Sequence, residues 1–189
     1  MNWLEWLAAA LGVINVGLIV RRSIWNYPFG LAMVSLYFFV FLEAKLYSDM
    51  LLQLFFFAVN LYGWWNWAEA KKATGQIWVA KLSNPARAAW VGAALGASLF
   101  WGFVMARFTD AAAPMWDAAI AGMSVAGQIL MARRRVESWL FWIAVDLVAV
   151  PLFWSRGLYW TSGLYFLFLM LSIAGLIDWR RALRAQDEA

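Results

Sequence analysis

Residues 139–154 read Trp-Leu-Phe-Trp-Ile-Ala-Val-Asp-Leu-Val-Ala-Val-Pro-Leu-Phe-Trp, an apolar stretch with a single charged residue, Asp146. Polar and apolar residues do not alternate in it, so the stretch is typical of a membrane-spanning helix and not of a barrel strand. A hydrocarbon core of about 30 Å requires roughly 20 helical residues. The stretch is near the short limit for a span, so we expect the helix to continue into the adjoining loops.

Six further stretches have the same character, and together the seven predict an all-α integral membrane protein. The predicted spans are Leu4–Val20, Pro28–Leu42, Met50–Ala68, Ala88–Ala106, Asp117–Ala132, Trp139–Trp154 and Tyr159–Ile177. Of the 189 residues, 65% are apolar and only 14% are charged, whereas about 25% are charged in a soluble domain. The N-terminus carries Glu5 instead of a basic segment, and Arg21-Arg22 follow the first apolar stretch instead of preceding it, so we do not expect a cleavable signal peptide.

The composition also excludes several kinds of chemistry. The chain has no cysteine and no histidine, which rules out disulfides, thiolate or imidazole metal sites and Ser–His catalysis. An intramembrane enzyme would need clustered acids for a metal or a nucleophile–base pair, and the sequence offers no such cluster. We therefore expect no catalytic residue, no metal site and no cofactor.

The positions of the basic residues predict the orientation in the membrane. Between the predicted spans, the alternate connections divide the 15 basic residues into sets of twelve and three. The larger set is Arg21, Arg22, Lys71, Lys72, Lys81, Arg87, Arg133, Arg134, Arg135, Arg180, Arg181 and Arg184; the smaller is Lys45, Arg107 and Arg156. Basic residues favour the cytoplasmic ends of short loops, so the N-terminus is expected outside and the C-terminus in the cytoplasm. The net charge of +4 thus reflects topology, and we expect no nucleic-acid partner.

The sequence matches itself without gaps when it is shifted by 112 residues. The matched positions are Arg21-Arg22 with Arg133-Arg134, Phe29 with Phe141, Ala32 with Ala144, Phe41 with Phe153, Leu46-Tyr47 with Leu158-Tyr159, Gly63 with Gly175 and Trp67 with Trp179. In so apolar a chain such matches can arise from composition alone, but the run continues through two loops and three spans. It predicts a duplication: two parallel three-helix repeats joined by a central helix, the 3+1+3 arrangement of SWEET-like proteins.

The duplication divides the chain into five segments. Residues 1–68 form the first three-helix repeat, 69–87 a cytoplasmic loop, 88–106 the connector helix, 107–179 the second repeat and 180–189 a cytoplasmic tail. Transporters built in this way bind their solute between the halves near the membrane midplane. A duplicated bundle can also have a purely structural role. The prediction of a solute-binding site therefore depends on the polar residues within the spans.

Asp146 is the acidic residue predicted to lie deepest in the membrane, with no basic residue within one helical turn. An ionisable group there costs about 2.5–3.5 kcal/mol on insertion scales, so it must face a cavity or a partner. Trp142 lies four residues earlier on the same helical face. An indole beside a carboxylate suits a flat, positively charged ring. Alternatively, Asp146 bonds to a polar group on another helix and only stabilises the bundle.

Further polar residues form stripes on other predicted spans. Ser124 and Gln128 share a face of the fifth helix with Asp117, and Gln53, Asn60 and Trp64 share one of the third with Trp67. Under the shift of 112, Gln53 corresponds to Tyr165 and Asn60 to Ser172. Alternatively, such polar side chains form hydrogen bonds that hold neighbouring helices together. We interpret the collection as a polar cavity with aromatic walls, lined by Gln53, Asn60, Trp64, Ser124, Gln128, Trp142, Asp146 and Tyr165.

Most of the remaining tryptophans lie near the ends of predicted spans. They are Trp3, Trp6, Trp25, Trp78, Trp116, Trp160 and Trp179. Tryptophan is enriched at both membrane–water interfaces, where the amphipathic ring lies at the level of the lipid headgroups. We therefore assign these seven residues to interfacial belts.

Several stretches of the sequence resemble the PnuC-type vitamin transporters. They are Trp25-Asn-Tyr-Pro-Phe-Gly30, Tyr47-Ser-Asp49 before Gln53, Tyr62-Gly-Trp-Trp65, Gln128, Glu137 to Asp146, and Gly157-Leu-Tyr159 to Tyr165. The resemblance covers nearly the whole chain. It implies a homotrimeric facilitator with a 3+1+3 core in the bacterial inner membrane. It also implies uptake of nicotinamide riboside, a vitamin B3 precursor for NAD biosynthesis, made one-way by phosphorylation inside the cell.

The same resemblance implies roles for three residues. In the family, a tryptophan is followed four positions later by a polar residue, and these two positions correspond to Trp142 and Asp146. The family's glutamine in the fifth helix corresponds to Gln128. The nicotinamide riboside carriers have asparagine where this chain has Asp146, and a carboxylate suits the thiazolium ring of thiamine equally well. We expect facilitated diffusion of nicotinamide riboside, a small cationic heteroaromatic nucleoside, by alternating access, with thiamine or riboflavin as the alternative. A sensor or scaffold is disfavoured because the C-terminal tail is too short for an output domain.

Overall fold

Seven α-helices make up the regular structure of the described residues. The computed structural model describes residues 3–43, 47–109 and 113–188. The helices are α1 (Trp3–Val20), α2 (Asn26–Glu43), α3 (Tyr47–Thr74), α4 (Asn84–Phe108), α5 (Pro114–Ala132), α6 (Ser138–Ser155) and α7 (Tyr159–Asp187). The all-helical prediction is confirmed. Lys45 and Leu46, which entered the charge count and the repeat, lie outside the described residues.

Six of the helices in the described residues are long and apolar enough to cross a membrane; they are α1, α2, α4, α5, α6 and α7. Helix α3 is longer than most of them, but Gln53, Asn60 and Asn66 lower its mean hydropathy. The crossing predicted for α3 therefore stays a prediction. Large apolar side chains are exposed along α4, among them Leu99 and Phe103, as expected of a surface that faces lipid.

Every helix extends past its predicted apolar span, and α3, α4 and α7 do so the most. Helix α3 continues to Thr74 and α7 to Asp187, while α4 already begins at Asn84. Much of the expected loop 69–87 and tail 180–189 is therefore helical. The reason is that membrane thickness sets the length of the apolar run but does not limit the length of the helix. Basic residues in the last turn, such as Lys71 of α3, stabilise the added turns against the helix dipole.

Contacts divide the chain into two compact units. The first comprises Met1–Val79, Ala132–Arg134 and Ile177–Ala189; the second comprises Ala80–Met131 and Arg135–Leu176. In the first unit α2 packs against both α1 and α3. In the second unit, small residues allow close helix packing, since Gly122 of α5 contacts Ser98 of α4.

An aromatic cluster forms the core of the first unit. The Tyr27 ring meets the Trp67 ring edge-on with centroids 5.4 Å apart, and the Trp67 and Trp179 centroids are 5.9 Å apart. Trp179 is fully buried, and its Nε1 donates a hydrogen bond of 3.1 Å to the Ile19 carbonyl. The interfacial assignment of Trp179 is therefore wrong, because the indole has a hydrogen-bond partner inside the protein. The other six predicted belt tryptophans, Trp3, Trp6, Trp25, Trp78, Trp116 and Trp160, are exposed.

The helix boundaries recur along the chain at a spacing of 112 residues. Helices α1 and α5 end at Val20 and Ala132, and α3 and α7 begin at Tyr47 and Tyr159. Helix α2 and helix α6 have the same length of 18 residues, with both ends displaced by that spacing. The local folding therefore follows the period found in the sequence.

Hydrogen bonds and close contacts recur at the same spacing. The Ser23 and Arg135 amides donate to the Leu18 and Leu130 carbonyls, each at 2.9 Å. Arg22 and Arg134, the residues before them, have φ angles of 52° and 58°. Further on, Gly63 lies against the Tyr27 ring and Gly175 against the Trp139 ring. These pairs show that the two stretches of chain use the same turn and the same helix contacts.

A buried carboxylate connects the loop before α4 to the beginning of α6 in the second unit. Both carboxylate oxygens of Glu137 accept a hydrogen bond of 3.1 Å from the Leu82 amide. The Arg87 Nε adds an ion pair at 2.8 Å. The Glu137 side chain is only 8% exposed, so these donors replace the water that it would otherwise bind.

Replacing Glu137 with alanine is expected to lower the free energy of unfolding by about 2 kcal/mol, because hydrogen bonds to a buried charged group are lost. Thermal unfolding of the purified protein in detergent measures the change. Glu69→Ala is the control, since Glu69 forms an exposed ion pair with Lys72 and such pairs contribute about 0–1 kcal/mol. Equal effects of the two variants would contradict a structural role for the Glu137 contacts.

Candidate functional site

Asp146 lies in the interior of the second unit on α6. Its apolar neighbours in sequence favour helix, and the carboxylate is only 3% exposed. The Ser172 hydroxyl of α7 donates a hydrogen bond of 3.2 Å to Asp146 Oδ2, the one hydrogen bond of this carboxylate within the described residues. This is the interhelical pairing that the sequence allowed as an alternative to solute binding. A carboxylate has about four acceptor positions, so a single hydroxyl leaves most of its capacity available.

The Trp142 indole of α6 packs against α5 at Gly127. A Cβ atom on Gly127 would lie 3.3 Å from the Trp142 Nε1 and Cε2 atoms, a tight contact that would require the indole to shift by a few tenths of an ångström. Gln128 follows Gly127, and Ser124 lies one turn earlier in α5; Ser124 is buried and Gln128 is half-buried. Four predicted site residues thus lie on two helices that touch each other.

Tyr165 occupies a different part of the second unit. Its ring packs against Phe153 of α6 with centroids 5.1 Å apart and against Phe168 of its own helix at 6.1 Å. Phe153 follows Asp146 by seven residues, which is about 10 Å along a helix. Tyr165 therefore contacts α6 about two turns beyond the carboxylate.

The three predicted site residues of α3 belong to the first unit. Gln53 and Asn60 are buried, although glutamine and asparagine are mostly exposed in proteins. Trp64 stacks on Tyr27 of α2, with ring centroids 6.4 Å apart and planes 6° apart. The eight predicted residues therefore form two groups, three in the first unit and five in the second, and their combination into one site stays a prediction.

Two further buried polar residues were missed by the sequence analysis. Ser172 was noted there only as the counterpart of Asn60, yet it is the hydrogen-bond donor to Asp146. Asn15 of α1 is buried beside Gly30, and its Oδ1 has no hydrogen-bond partner within the described residues. A single asparagine in the apolar stretch Leu4–Val20 was the signal that could have identified it.

The structure also contains a cavity of about 270 Å³ away from all these residues. It lies in the first unit, between the turn after α1 and the turn after α3. Its wall includes Arg21, Arg22 and Lys71, and none of the eight predicted site residues. In the sequence, these basic residues indicated only the orientation in the membrane.

Residues 2–181 match the protein family described as nicotinamide mononucleotide transporter. The chain belongs to this family. The resemblance to PnuC-type transporters is therefore confirmed, and the protein is a membrane transporter and not an enzyme.

Individual relatives cover nearly the whole chain. The nicotinamide riboside transporter PnuC of Escherichia coli (strain K12) is 28% identical over 97% of this chain and 87% of its own length. The riboflavin/roseoflavin transporter RibM of Streptomyces davaonensis is 29% identical over 94% of this chain and 84% of its own. A crystal structure of the vitamin B3 transporter PnuC matches with a TM-score of 0.79, at 27% identity, over 97% of this chain and 83% of that one.

Proposed function

We propose that the protein is a facilitator for nicotinamide riboside. The observation that carries the proposal is the similarity to the Escherichia coli nicotinamide riboside transporter, which extends over 97% of this chain. The match to a vitamin B3 transporter structure with a TM-score of 0.79 supports it. Without histidine, the chain also lacks the usual side chain of a proton relay near neutral pH, which favours transport without ion coupling.

The proposed site pairs the Trp142 indole with the Asp146 carboxylate. The nicotinamide ring of the solute is flat and cationic, so it stacks on the indole while its charge lies near the carboxylate. A cation over a tryptophan face gains about 0.5–2 kcal/mol. Ser124 and Gln128 supply hydrogen bonds from α5 to the ribose hydroxyls. In this proposal Gln53, Asn60, Trp64 and Tyr165 complete the polar surface of the pathway.

The proposed architecture has seven crossings, with α3 as the seventh and α4 as the connector between two parallel repeats. Its support is the recurrence of helix ends and turn hydrogen bonds at a spacing of 112 residues. The distribution of basic residues supports an external N-terminus and a cytoplasmic C-terminus. Alternating access between the repeats, a homotrimer and the bacterial inner membrane complete the proposal.

Riboflavin is the second candidate solute, because the riboflavin/roseoflavin transporter RibM is 29% identical to this chain, about the same identity as that of the nicotinamide riboside transporter. The carboxylate of Asp146 distinguishes the two solutes, since riboflavin carries no positive charge. Thiamine, with its cationic thiazolium ring, satisfies the same charge requirement as nicotinamide riboside and is the third candidate.

Purified protein in liposomes is expected to take up labelled nicotinamide riboside with saturation and without any ion gradient. Saturation reflects a binding site, and the absence of a gradient requirement reflects facilitated diffusion. Labelled thiamine and labelled riboflavin are supplied in separate arms, with empty liposomes as the control. Dependence of uptake on a proton or sodium gradient would contradict the mechanism. Uptake of riboflavin or thiamine but not of nicotinamide riboside would contradict the substrate.

A further inference from the structure

The basic cavity of the first unit has the properties of an anion site. Its volume is about 270 Å³, and its wall contains Arg21, Arg22 and Lys71 but no acidic residue. Ser23 and Gln76, two further residues with hydrogen-bonding side chains, also belong to the wall. Such a combination of cations and neutral donors matches the oxygens of a phosphate group.

Two of the three cations are not neutralised by the protein. Arg22 forms an ion pair of 2.8 Å with Asp178. Arg21 and Lys71 have no ion pair within residues 3–43, 47–109 and 113–188. Lys72, next to Lys71, differs because it forms an ion pair with Glu69 and does not belong to the wall. The cavity therefore has an excess of positive charge at Arg21 and Lys71.

In the corresponding turn of the second unit, the hydrogen-bond donors find acceptors within the protein. There the Val136 amide donates a hydrogen bond of 3.0 Å to the Ala80 carbonyl, and the Arg135 guanidinium donates one of 3.2 Å to the Lys81 carbonyl. Carbonyl oxygens of the chain itself thus occupy the space beside the turn. The position equivalent to Val136 in the first unit is Ile24.

Among the residues that the structure describes, none supplies such oxygen acceptors to the turn of the first unit. Ile24 belongs to the cavity wall, and its amide N–H has no hydrogen-bond acceptor within the described residues. A donor that is satisfied in one copy of the turn thus belongs, in the other copy, to a residue of the cavity wall. A ligand with several oxygens would accept from Ile24 and compensate the charges of Arg21 and Lys71.

We propose that this cavity binds a phosphate group, either as the headgroup of an anionic phospholipid or as a free phosphate. The cavity volume exceeds that of one phosphate, so a headgroup with its glycerol also fits. Trp25 belongs to the same wall and is 67% exposed, as expected of a tryptophan at the level of lipid headgroups. Basic pockets between transmembrane helices on the cytoplasmic side are known to bind such headgroups.

The test uses the full chain in nanodiscs of phosphatidylcholine, with and without phosphatidylglycerol, and in detergent with added inorganic phosphate. Bound phosphatidylglycerol is counted by native mass spectrometry, and thermal unfolding reports phosphate binding. The double variant Arg21→Gln/Lys71→Gln is expected to bind about 25-fold more weakly, since each basic residue near the surface contributes about a fivefold factor. Lys72→Gln is the matched control and is expected to bind like the wild type.

Each outcome supports or overturns the proposal. Loss of phosphatidylglycerol binding in the double variant, without a response to inorganic phosphate, identifies a lipid site. Stabilisation of the wild type by inorganic phosphate, absent from the double variant, identifies a site for small phosphates. Equal binding by the wild type and the double variant, or an equal loss in Lys72→Gln, overturns the proposal. If the double variant does not fold, Lys71→Arg and Lys71→Gln replace it, and binding must be kept by the first and weakened by the second.

Discussion

Replacing Trp142 with alanine is expected to weaken the binding of nicotinamide riboside by about thirtyfold, because a cation–π contact in a desolvated site is worth about 2 kcal/mol. The indole contacts α5 at Gly127 and is half-buried, so part of it remains available to a solute. The measurement is the solute-dependent rise in the thermal midpoint of the purified protein, titrated with nicotinamide riboside.

Asp146→Asn separates the charge from the hydrogen bond at the same site. The asparagine side-chain oxygen can still accept from the Ser172 hydroxyl, but the negative charge is lost. Binding of cationic nicotinamide riboside and of thiamine is therefore expected to weaken, whereas binding of uncharged riboflavin is not. Conversely, Ser172→Ala keeps the charge and removes the donor, so it should preserve the affinity for cations and lower stability.

Trp160→Ala is the control for the loss of an indole, since Trp160 is 76% exposed on α7. It is expected to leave the affinity unchanged. The proposed site is rejected if Trp142→Ala and Asp146→Asn both bind nicotinamide riboside like the wild type. In that case the bond between Asp146 and Ser172 would be a structural link alone, as the sequence allowed.

The helices could be predicted from the sequence because burial in lipid imposes a simple requirement on each span. Every backbone group must be satisfied within its own segment, so long apolar runs must be helical. Helix α5 ends where its apolar run ends, so its predicted and observed ends coincide at Ala132. The end of α7 at Asp187 could not be found in the same way, because the helix leaves the apolar region and hydropathy no longer indicates where it ends.

For the candidate site, the sequence predicts which types of residue are present but not which contacts they make. A carboxylate in an apolar run is visible in the sequence, and so is the tryptophan four residues before it. The hydrogen bond to Ser172 is not visible, because it depends on the rotation of α7 against α6. Trp179 shows the same limit, since its position near a span end looks interfacial while tertiary packing buries the ring completely.

Replacing Gly175 with alanine is expected to destabilise the protein by about 1–3 kcal/mol, the range for an added carbon in a well-packed core. A Cβ atom at this position would overlap the indole of Trp139. Trp139 is only 1% exposed, so its ring has little freedom to move aside. The change is measured as a fall in the thermal midpoint of the purified protein in detergent.

Gly163 provides a matched control on the same helix, since a Cβ atom there would meet nothing within 4 Å. Alanine is favoured over glycine inside a helix by about 1 kcal/mol, so Gly163→Ala should be neutral or stabilising. The two substitutions are thus expected to have opposite signs although they add the same atom. Combining Gly175→Ala with Trp139→Phe should cost less than the sum of the single changes, because the smaller ring leaves room for the methyl group. Additive costs, or equal losses of stability at Gly163 and Gly175, would show that the contact with Trp139 does not restrict the side chain at position 175.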